Sequence, residues 1–346
     1  MNFPSQISFT ITNACNLRCQ MCGQWSEHGY VHDRKEKLKH ELKIDDWKRL
    51  VDQLDDHRIG MLLIRGGEPF MVPGIIDLLE YINNKGYFVS VDTNGTFLKK
   101  FAKDIVRIGN MHLTVSVDGS EEIHDRVRGV TGTFKRLKEG LAHLNELKRT
   151  STNHISTSIC FTISPYSIES LGDLPDIARN IGVKSMNIVP YCYVTGQQGL
   201  EHEKILSEQF GCAAYSWRGF HHEHSGVEFD EFLPKLRKYK ATLGELEDYP
   251  YLPLTEDEYK DWFADAAIPH GKLRCENPEQ LIDIQPNGDA NFCVDLPDVI
   301  IGNVKEQTIA EIFNGEKANA FRAYRRKQRL PACYRCVAKG MGEIRG

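Results

Sequence analysis

Short apolar segments alternate with helical patterns over the first 190 residues, and this alternation constrains the fold more than any other feature. Six segments predict β-strands, at 8–14, 61–66, 88–94, 112–118, 154–163 and 185–191. The patterns between them predict helices at 45–56, 73–85, 97–108, 133–148 and 168–181. Strands that alternate with helices are typical of a parallel sheet. Because no Gly-rich phosphate turn follows the first strand, six such units favour a partial barrel over a dinucleotide-binding sheet.

Three of the predicted strands have one polar face. In the segment 88–94, Ser90, Asp92 and Asn94 share one face, and the valines between them share the other. The segments 112–118 and 154–163 repeat this alternation. A closed eight-stranded barrel is usually filled with Val, Ile and Leu, so a polar inner face predicts a wider, incomplete barrel that holds a ligand. An antiparallel sheet with one solvated face is the alternative.

Length and composition narrow the class of protein. The chain has 346 residues, more than one core of about 250–300 residues usually accommodates, so we expect two units. Charged residues make up 26% of the chain and the net charge is -5, which lacks the basic excess typical of nucleic-acid binding. No apolar run of membrane-spanning length and no signal peptide is present. We therefore expect a cytoplasmic protein with no nucleic-acid partner and no membrane association.

Seven of the ten cysteines occur in groups, which are Cys15, Cys19 and Cys22, then Cys275 and Cys293, then Cys333 and Cys336. In a reducing compartment, grouped thiols indicate metal or redox chemistry more often than disulfides. The first group, in "CNLRCQMC", has a spacing that suits neither the usual zinc pairs nor a thioredoxin-like redox pair. Three thiolates can ligate three corners of a 4Fe-4S cluster and leave the fourth iron open to another ligand.

The segment "CNLRCQMC", directly after the first predicted strand, resembles the cluster loop of the radical S-adenosylmethionine (SAM) enzymes. The resemblance covers about 8–192 and includes "GGEP" at 66–69, "TNG" at 93–95 and "SVDG" at 116–119, each at the end of a predicted strand. It implies an α/β fold with a partial (β/α)6 TIM-type barrel. It also implies that Cys15, Cys19 and Cys22 bind a 4Fe-4S cluster whose open iron binds SAM.

The same resemblance implies cofactor-binding roles for seven residues, namely Gly66, Gly67, Glu68, Asn94, Ser116, Arg128 and Val189. The "GGE" residues are expected near the amino group of SAM, and Val189 near the adenine. Arg128 is the candidate for the carboxylate, with Arg126 as its alternative two residues away. The family usually has an aromatic residue just before the third cysteine. This chain has Met21 there, so its thioether or Trp25 is expected to pack on the adenine.

The C-terminal residues, about 272–346, resemble a small α+β auxiliary-cluster extension known as SPASM, and more closely its shortened twitch form. The full form would have further cysteines after Cys336, so the resemblance implies one auxiliary 4Fe-4S cluster. Its ligands would be Cys275, Cys293, Cys333 and Cys336, which fill all four corners. A zinc site held by the same cysteines is the alternative. We expect a barrel domain at 1–200, a helical connector at 201–271 and the twitch/SPASM-like domain at 272–346.

A second cluster with no open iron cannot bind the substrate, but it can accept an electron from a substrate radical. Loss of a hydrogen atom, a proton and that electron makes the net reaction a two-electron oxidation of the substrate. Our main expectation is therefore a radical SAM oxidoreductase that dehydrogenates a small polyol, sugar or aminocyclitol, as enzymes of the 2-deoxy-scyllo-inosamine dehydrogenase type do. The alternative is a peptide-modifying maturase that forms crosslinks or epimerises residues. We expect this less because only fourteen residues precede Cys15. A non-catalytic iron-sulfur electron carrier or redox sensor would not need "GGEP" or a polar barrel interior.

Candidate catalytic residues follow from position. Asp295, two residues past Cys293, is our first candidate for a general base, and the inward-facing Asp92 is the second. Epimerisation would need a hydrogen donor, for which Cys160 and Cys192 are candidates. The electron donor is expected to be a flavodoxin or ferredoxin. The basic helix with Arg322, Arg325, Arg326, Lys327 and Arg329 is either a solvated surface or the docking site for that acidic donor.

Overall fold

The computed structural model describes residues 2–38, 41–55, 57–264, 266–267 and 275–337. One ten-stranded sheet has the order β10-β9-β8-β1-β2-β3-β4-β5-β6-β7. Its strands are β1 Gln6–Thr10, β2 Met61–Arg65, β3 Val89–Thr93, β4 Met111–Ser116, β5 Ile155–Ile163, β6 Ser185–Pro190, β7 Glu247–Asp248, β8 Leu281–Ile284, β9 Asp289–Asn291 and β10 Gly302–Asn303. Strands β1 to β6 are parallel neighbours in chain order, which confirms the predicted partial barrel.

Twelve α-helices lie in the described residues. They are α1 Ile44–Asp52, α2 Ile75–Asn84, α3 Leu98–Ile108, α4 Glu121–Arg128, α5 Thr133–Lys148, α6 Leu174–Ile181, α7 Gly196–Phe210, α8 Phe229–Thr242, α9 Glu256–Ala264, α10 Asn277–Gln280, α11 Ile309–Asn314 and α12 Glu316–Arg325. The five predicted helices are confirmed, although the last begins as a 3-10 helix at Ile168–Asp173. The sequence patterns missed α4, because only His124 and Val127 of its eight residues are buried.

The two faces of the barrel strands differ as the alternation predicts. Val91, Leu113 and Val115 are fully buried and belong to the same apolar core as the helix residues Leu141 and Leu144. Polar residues of these strands face the interior instead. Near the N-terminal ends of the strands, the ring of His112 lies 2.8 Å from the hydroxyl oxygens of both Ser156 and Ser158. These polar side chains are paired with one another. Parallel sheets bind ligands at the other end, the C-terminal ends of the strands, so the site is expected there.

The C-terminal extension continues the sheet of the barrel. β8 pairs in parallel with β1, and β9 and β10 follow as antiparallel neighbours. At the opposite edge, β7 of the connector pairs with β6. The domain boundaries stay predictions, and the boundary at 271/272 and the last nine residues lie outside the described residues. No helix among the described residues is long and apolar enough to span a membrane.

The core is tested by comparing two leucines of opposite exposure. Leu113 is fully buried in β4, whereas Leu200 on α7 is 61% exposed. We expect Leu113→Ala to lower the free energy of unfolding by about 2–5 kcal/mol, because it removes buried methyl groups and leaves a cavity. Leu200→Ala is expected to change that free energy by less than about 0.5 kcal/mol. Urea unfolding of both variants at equal iron content measures the difference, and equal losses would contradict the assigned burial.

Candidate active site

The three N-terminal cysteines lie at the C-terminal ends of the strands. We call residues 12–25 the cluster loop, and Cys15, Cys19 and Cys22 in it line an internal cavity of about 330 Å³. The end of α4 holds the loop, since Arg18 N donates to Arg128 O at 3.0 Å and Gln20 N to Val127 O at 3.0 Å. Three sulfur donors around one cavity fit a 4Fe-4S cluster with an open iron that faces the cavity.

Burial opposes ionisation of these thiols. It raises the pKa of Cys15 to about 11 and that of Cys19 to about 12, and it also raises the pKa of Cys22. Thiolates are the form that binds metal, and the positive charge of iron makes that form stable in a buried site. The loop therefore favours ionised cysteines only together with bound iron.

Gly66 and Gly67 bring the end of β2 directly against the cluster loop. A Cβ atom on Gly66 would lie 2.3 Å from Thr12 O, and one on Gly67 would lie 2.1 Å from Ala14 O. Gly66 also has a φ of 143°, a region that glycine favours. Both glycines line the cavity, as the resemblance implies.

Glu68 is expected near the amino group of SAM, and that role stays a prediction. Its carboxylate accepts hydrogen bonds from Thr93 Oγ1 at 2.8 Å, Asn94 N at 2.7 Å and Phe70 N at 3.1 Å. Glu68 is fully buried between the ends of β2 and β3 and is not part of the cavity wall. Burial raises the pKa of this carboxyl to about 7, against the three hydrogen bonds, which lower it. Through these hydrogen bonds, Glu68 joins the ends of β2 and β3.

Asn94 and Ser116 line the cavity, as expected. Asn94 Nδ2 donates to Asn16 Oδ1 of the cluster loop at 2.9 Å, so this side chain also orients the loop. Val189 pairs in register with Thr162, and Thr162 lines the cavity whereas the buried Val189 is not part of its wall. Met21 and Trp25 both reach the wall, so the two candidates for packing on the adenine remain.

The structure distinguishes the two candidate arginines. Arg128 lines the cavity, donates from Nε to Asp118 Oδ2 at 2.5 Å and places Nη1 3.5 Å from Cys19 Sγ. Arg126 instead points outward, towards Tyr166 O at 3.5 Å and Glu169 at 3.4 Å. Asp118 is fully buried, and the nearby positive charge of Arg128 compensates its carboxylate.

A group of charged residues lies further from the cluster loop. Arg65, at the end of β2, lines the cavity, and its guanidinium makes no hydrogen bond to the described residues. Burial would lower the pKa of Arg65, but the carboxylates of Asp295, Asp92 and Asp283 outweigh that effect and raise it. Asp295 also acts electrostatically on Cys293. Asp295 is therefore near both the cavity and an auxiliary cysteine, which is the position that its proposed role as a base needs.

Other residues of the cavity wall were missed or misplaced by the sequence analysis. Tyr251, in the connector, lines the cavity and lies near Asp92 and Cys160. No pattern in the sequence indicates it, because the connector has no strand or helix periodicity there. Cys160 lines the cavity and Cys192 does not, so the structure favours Cys160 of the two candidate hydrogen donors. Arg65 was detectable, since it directly precedes "GGEP".

The four C-terminal cysteines line a second, smaller cavity of about 50 Å³. These residues are Cys275, Cys293, Cys333 and Cys336. Burial raises the pKa of Cys293 well above its usual range. No three His, Cys, Asp or Glu side chains in the described ranges converge on a position for a single metal ion. A cluster does not need such convergence, because each of its thiolates binds a different iron.

The basic helix is not the free docking surface that one interpretation of the sequence suggested. Arg322 and Arg325 are 7% and 4% exposed. Arg322 Nε donates to Pro278 O at 2.6 Å, and Arg325 Nη1 donates to Gln328 O at 2.6 Å. The positive charge of Arg325 lies near the thiols of Cys333 and Cys275. Arg326 pairs with Glu279 at 2.8 Å. The inner arginines of this helix therefore face the auxiliary cysteines and their surroundings.

A matched pair of variants tests the assignment of the arginines. We expect Arg128→Gln to weaken SAM binding at least about tenfold, since a hydrogen bond to a charged group contributes about 1.5–3 kcal/mol. Arg126→Gln, at an exposed site, is expected to leave affinity within about twofold. Anaerobic calorimetry of cluster-loaded proteins with equal iron content measures both. Equal affinities of the two variants would contradict the assignment.

Comparisons with known proteins agree with this geometry. Residues 9–161 match the Radical SAM superfamily, and residues 275–337 match SPASM, an iron-sulfur cluster-binding domain. The Fe-coproporphyrin III synthase of Methanosarcina barkeri is 25% identical over 327 residues, which cover 89% of this chain and 73% of that protein. The sporulation killing factor maturation protein SkfB of Bacillus subtilis is 23% identical over 292 residues, which cover 79% of this chain and 67% of SkfB.

Among solved structures, SuiB of Streptococcus suis matches with a TM-score of 0.65 and 16% identity, covering 97% of this chain and 72% of SuiB. At that identity the match concerns the fold alone. The domain matches indicate the cofactors, because a radical SAM domain uses a 4Fe-4S cluster with SAM and a SPASM domain holds auxiliary iron-sulfur clusters. This chain therefore carries a radical SAM domain followed by a C-terminal SPASM domain.

Proposed function

We propose that this protein is a radical SAM maturase that modifies a peptide, most simply by forming an oxidative crosslink. The observation that carries the proposal is one small polar cavity shared by two sets of residues. The cluster-loop cysteines line one part of it, and Arg65, Asp92 and Tyr251 line another. A substrate group in this cavity would lie between the cofactor site and the charged residues near the auxiliary cysteines.

The protein's own residues position and shield the reacting groups. When bound, SAM and the clusters supply a carbon radical that abstracts hydrogen from a C–H bond, and an acceptor for the electron that an oxidised substrate loses. Such a radical must meet only its substrate, and residues of the barrel strands and of the connector, such as Tyr251, line the cavity in which the two would meet. Asp92 pairs in register with Thr114 of β4, and both residues line the cavity as polar contacts for the substrate.

The size of the cavity favours a substrate that enters by one small group. Ligand cavities typically measure about 300–1,000 Å³, and this one measures about 330 Å³ although it must hold part of SAM as well. A peptide meets this condition because one side chain can enter while the rest stays outside. A tetrapyrrole macrocycle, the kind of molecule named for the Methanosarcina relative, would not fit as a whole and could likewise present only a side chain to the cofactor site.

The relatives support a peptide substrate better than the polyol that the sequence analysis preferred. SkfB is named as a maturation protein of the sporulation killing factor, and neither relative described above is named as a polyol or aminocyclitol dehydrogenase. The main expectation from the sequence therefore lacks support, and its alternative becomes the proposal. The electron-carrier hypothesis leaves the enclosed cavity beside the cluster loop without a purpose.

Crosslinking and epimerisation make different demands on the site. An oxidative crosslink removes a hydrogen atom, a proton and an electron from the peptide, and Asp295 lies near the cavity as the candidate proton acceptor. Epimerisation is redox-neutral and returns a hydrogen atom to the peptide, for which Cys160 is the candidate donor. The set of four auxiliary cysteines favours oxidation, because a redox-neutral reaction does not need an electron acceptor.

The enzyme class is tested by measuring 5′-deoxyadenosine after anaerobic reduction with dithionite in the presence of SAM. We expect formation by the wild-type protein and its loss when Cys15, Cys19 and Cys22 are changed to Ala together. The control is the double variant Cys192→Ala/Cys212→Ala, which lies outside both cysteine groups and is expected to keep the activity. A fully loaded wild-type protein that forms no 5′-deoxyadenosine would favour the electron carrier.

The substrate class is tested by deuterium transfer, which does not require the substrate to be identified first. Cells of the source organism grown in D2O are separated into peptide, tetrapyrrole and small polar fractions, and exchangeable deuterium is removed. Carbon-bound deuterium reaches 5′-deoxyadenosine only from a true hydrogen donor, and mass spectrometry detects it. We expect enrichment with the peptide fraction, whereas enrichment with the small polar fraction would restore the polyol hypothesis.

A further inference from the structure

His202 is a buried histidine with no hydrogen-bond partner among the residues that the structure describes. It lies on α7, is 1% exposed, and neither of its ring nitrogens makes a hydrogen bond. Its side chain lines the same cavity as the four auxiliary cysteines. α7 packs there against the short 3-10 helix Pro331–Cys333, which carries one of those cysteines.

An imidazole in this state needs an explanation. Buried polar groups in proteins are almost always hydrogen-bonded, because leaving one unpaired forfeits its interaction with water. Several described residues have one unpartnered buried atom, but His202 is the histidine among them with both ring nitrogens unpartnered. In either charge state an imidazole has at least one N–H to donate. Since no described residue supplies its partner, the partner is expected from what occupies the cavity.

The charged neighbours of His202 are occupied elsewhere. The carboxylate of Asp298 accepts hydrogen bonds from Tyr215 N at 3.0 Å and from Ser216 N at 3.2 Å. Glu203 accepts a hydrogen bond from the indole N–H of Trp217 at 2.7 Å. Arg325, which lines the same cavity, donates from Nη1 to Gln328 O at 2.6 Å. This leaves the contents of the cavity as the acceptor that His202 can reach.

We propose that His202 donates a hydrogen bond to a sulfur atom of the auxiliary iron-sulfur cluster and thereby raises its reduction potential. Hydrogen bonds to cluster sulfurs stabilise the reduced state, because that state carries more negative charge. His202 is thus a positioning and tuning residue that acts through the cluster and does not touch the substrate. The inference concerns the auxiliary site alone, so it does not depend on the peptide proposal.

The test isolates the auxiliary cluster in a protein with Cys15, Cys19 and Cys22 changed to Ala. A redox titration followed by electron paramagnetic resonance (EPR) gives its midpoint potential. We expect His202→Leu to shift the midpoint to lower potential at unchanged iron content, and His202→Gln, which keeps an N–H donor, to stay closer to the parent. Leu206→Met is the packing control, since Leu206 lies one turn away on α7 and lines the same cavity. An unshifted midpoint in His202→Leu would overturn the proposal.

A second measurement decides the case in which His202→Leu fails to retain iron. The parent protein is labelled with 15N at histidine only, and pulsed EPR of the reduced auxiliary cluster detects nearby magnetic nuclei. We expect a weak 15N coupling that disappears in His202→Gln. Absence of this coupling in the parent, or its persistence in His202→Gln, would show that the histidine does not contact the cluster.

Discussion

The close backbone contact between the end of β2 and the cluster loop is the constraint on which the site depends. Gly67 N donates to Thr12 O at 2.8 Å and Glu68 N to Ala14 O at 2.9 Å. No side chain fits between these segments, since any Cβ on either glycine would overlap a carbonyl oxygen. The loop is therefore held at the strand end by main chain, and α4 holds its other side. Three cysteines converge because the loop has little freedom to move.

The "GGEP" segment acts here as a structural connector as much as a binding motif. Its two glycines contact the cluster loop, and its glutamate accepts hydrogen bonds from the end of β3. One short segment thus joins the loop, β2 and β3. The backbone N–H of Asn94 donates to Glu68, and the side-chain amide of Asn94 donates to Asn16 in the loop. This closed set of contacts explains why a residue outside the cavity can still matter for the geometry inside it.

Local patterns predicted the barrel well because each strand has one apolar and one polar face, so periodicity reports burial directly. The cysteine spacing likewise indicated the cluster-loop set, because Cys15, Cys19 and Cys22 are close in sequence. The C-terminal set runs from Cys275 to Cys336, and only the resemblance of that whole segment indicated it. Tyr251 and His202 were not predictable, since each reaches its cavity only through packing between distant segments. The pairing of β8 with β1 was missed for the same reason, because it joins residues more than 270 positions apart.

The arginines explain how a polar interior is tolerated without a compensating apolar filling. Isolated buried charges are costly, but each large group of buried acids has an arginine nearby. Arg65 lies among Asp92, Asp283 and Asp295, and Arg128 pairs with Asp118. Arg325 places a third positive charge beside the auxiliary thiols. Of the three, Arg65 lines the cavity and makes no hydrogen bond to the described residues, so the charge balance that stabilises the polar interior also leaves one guanidinium available to a polar group of the substrate.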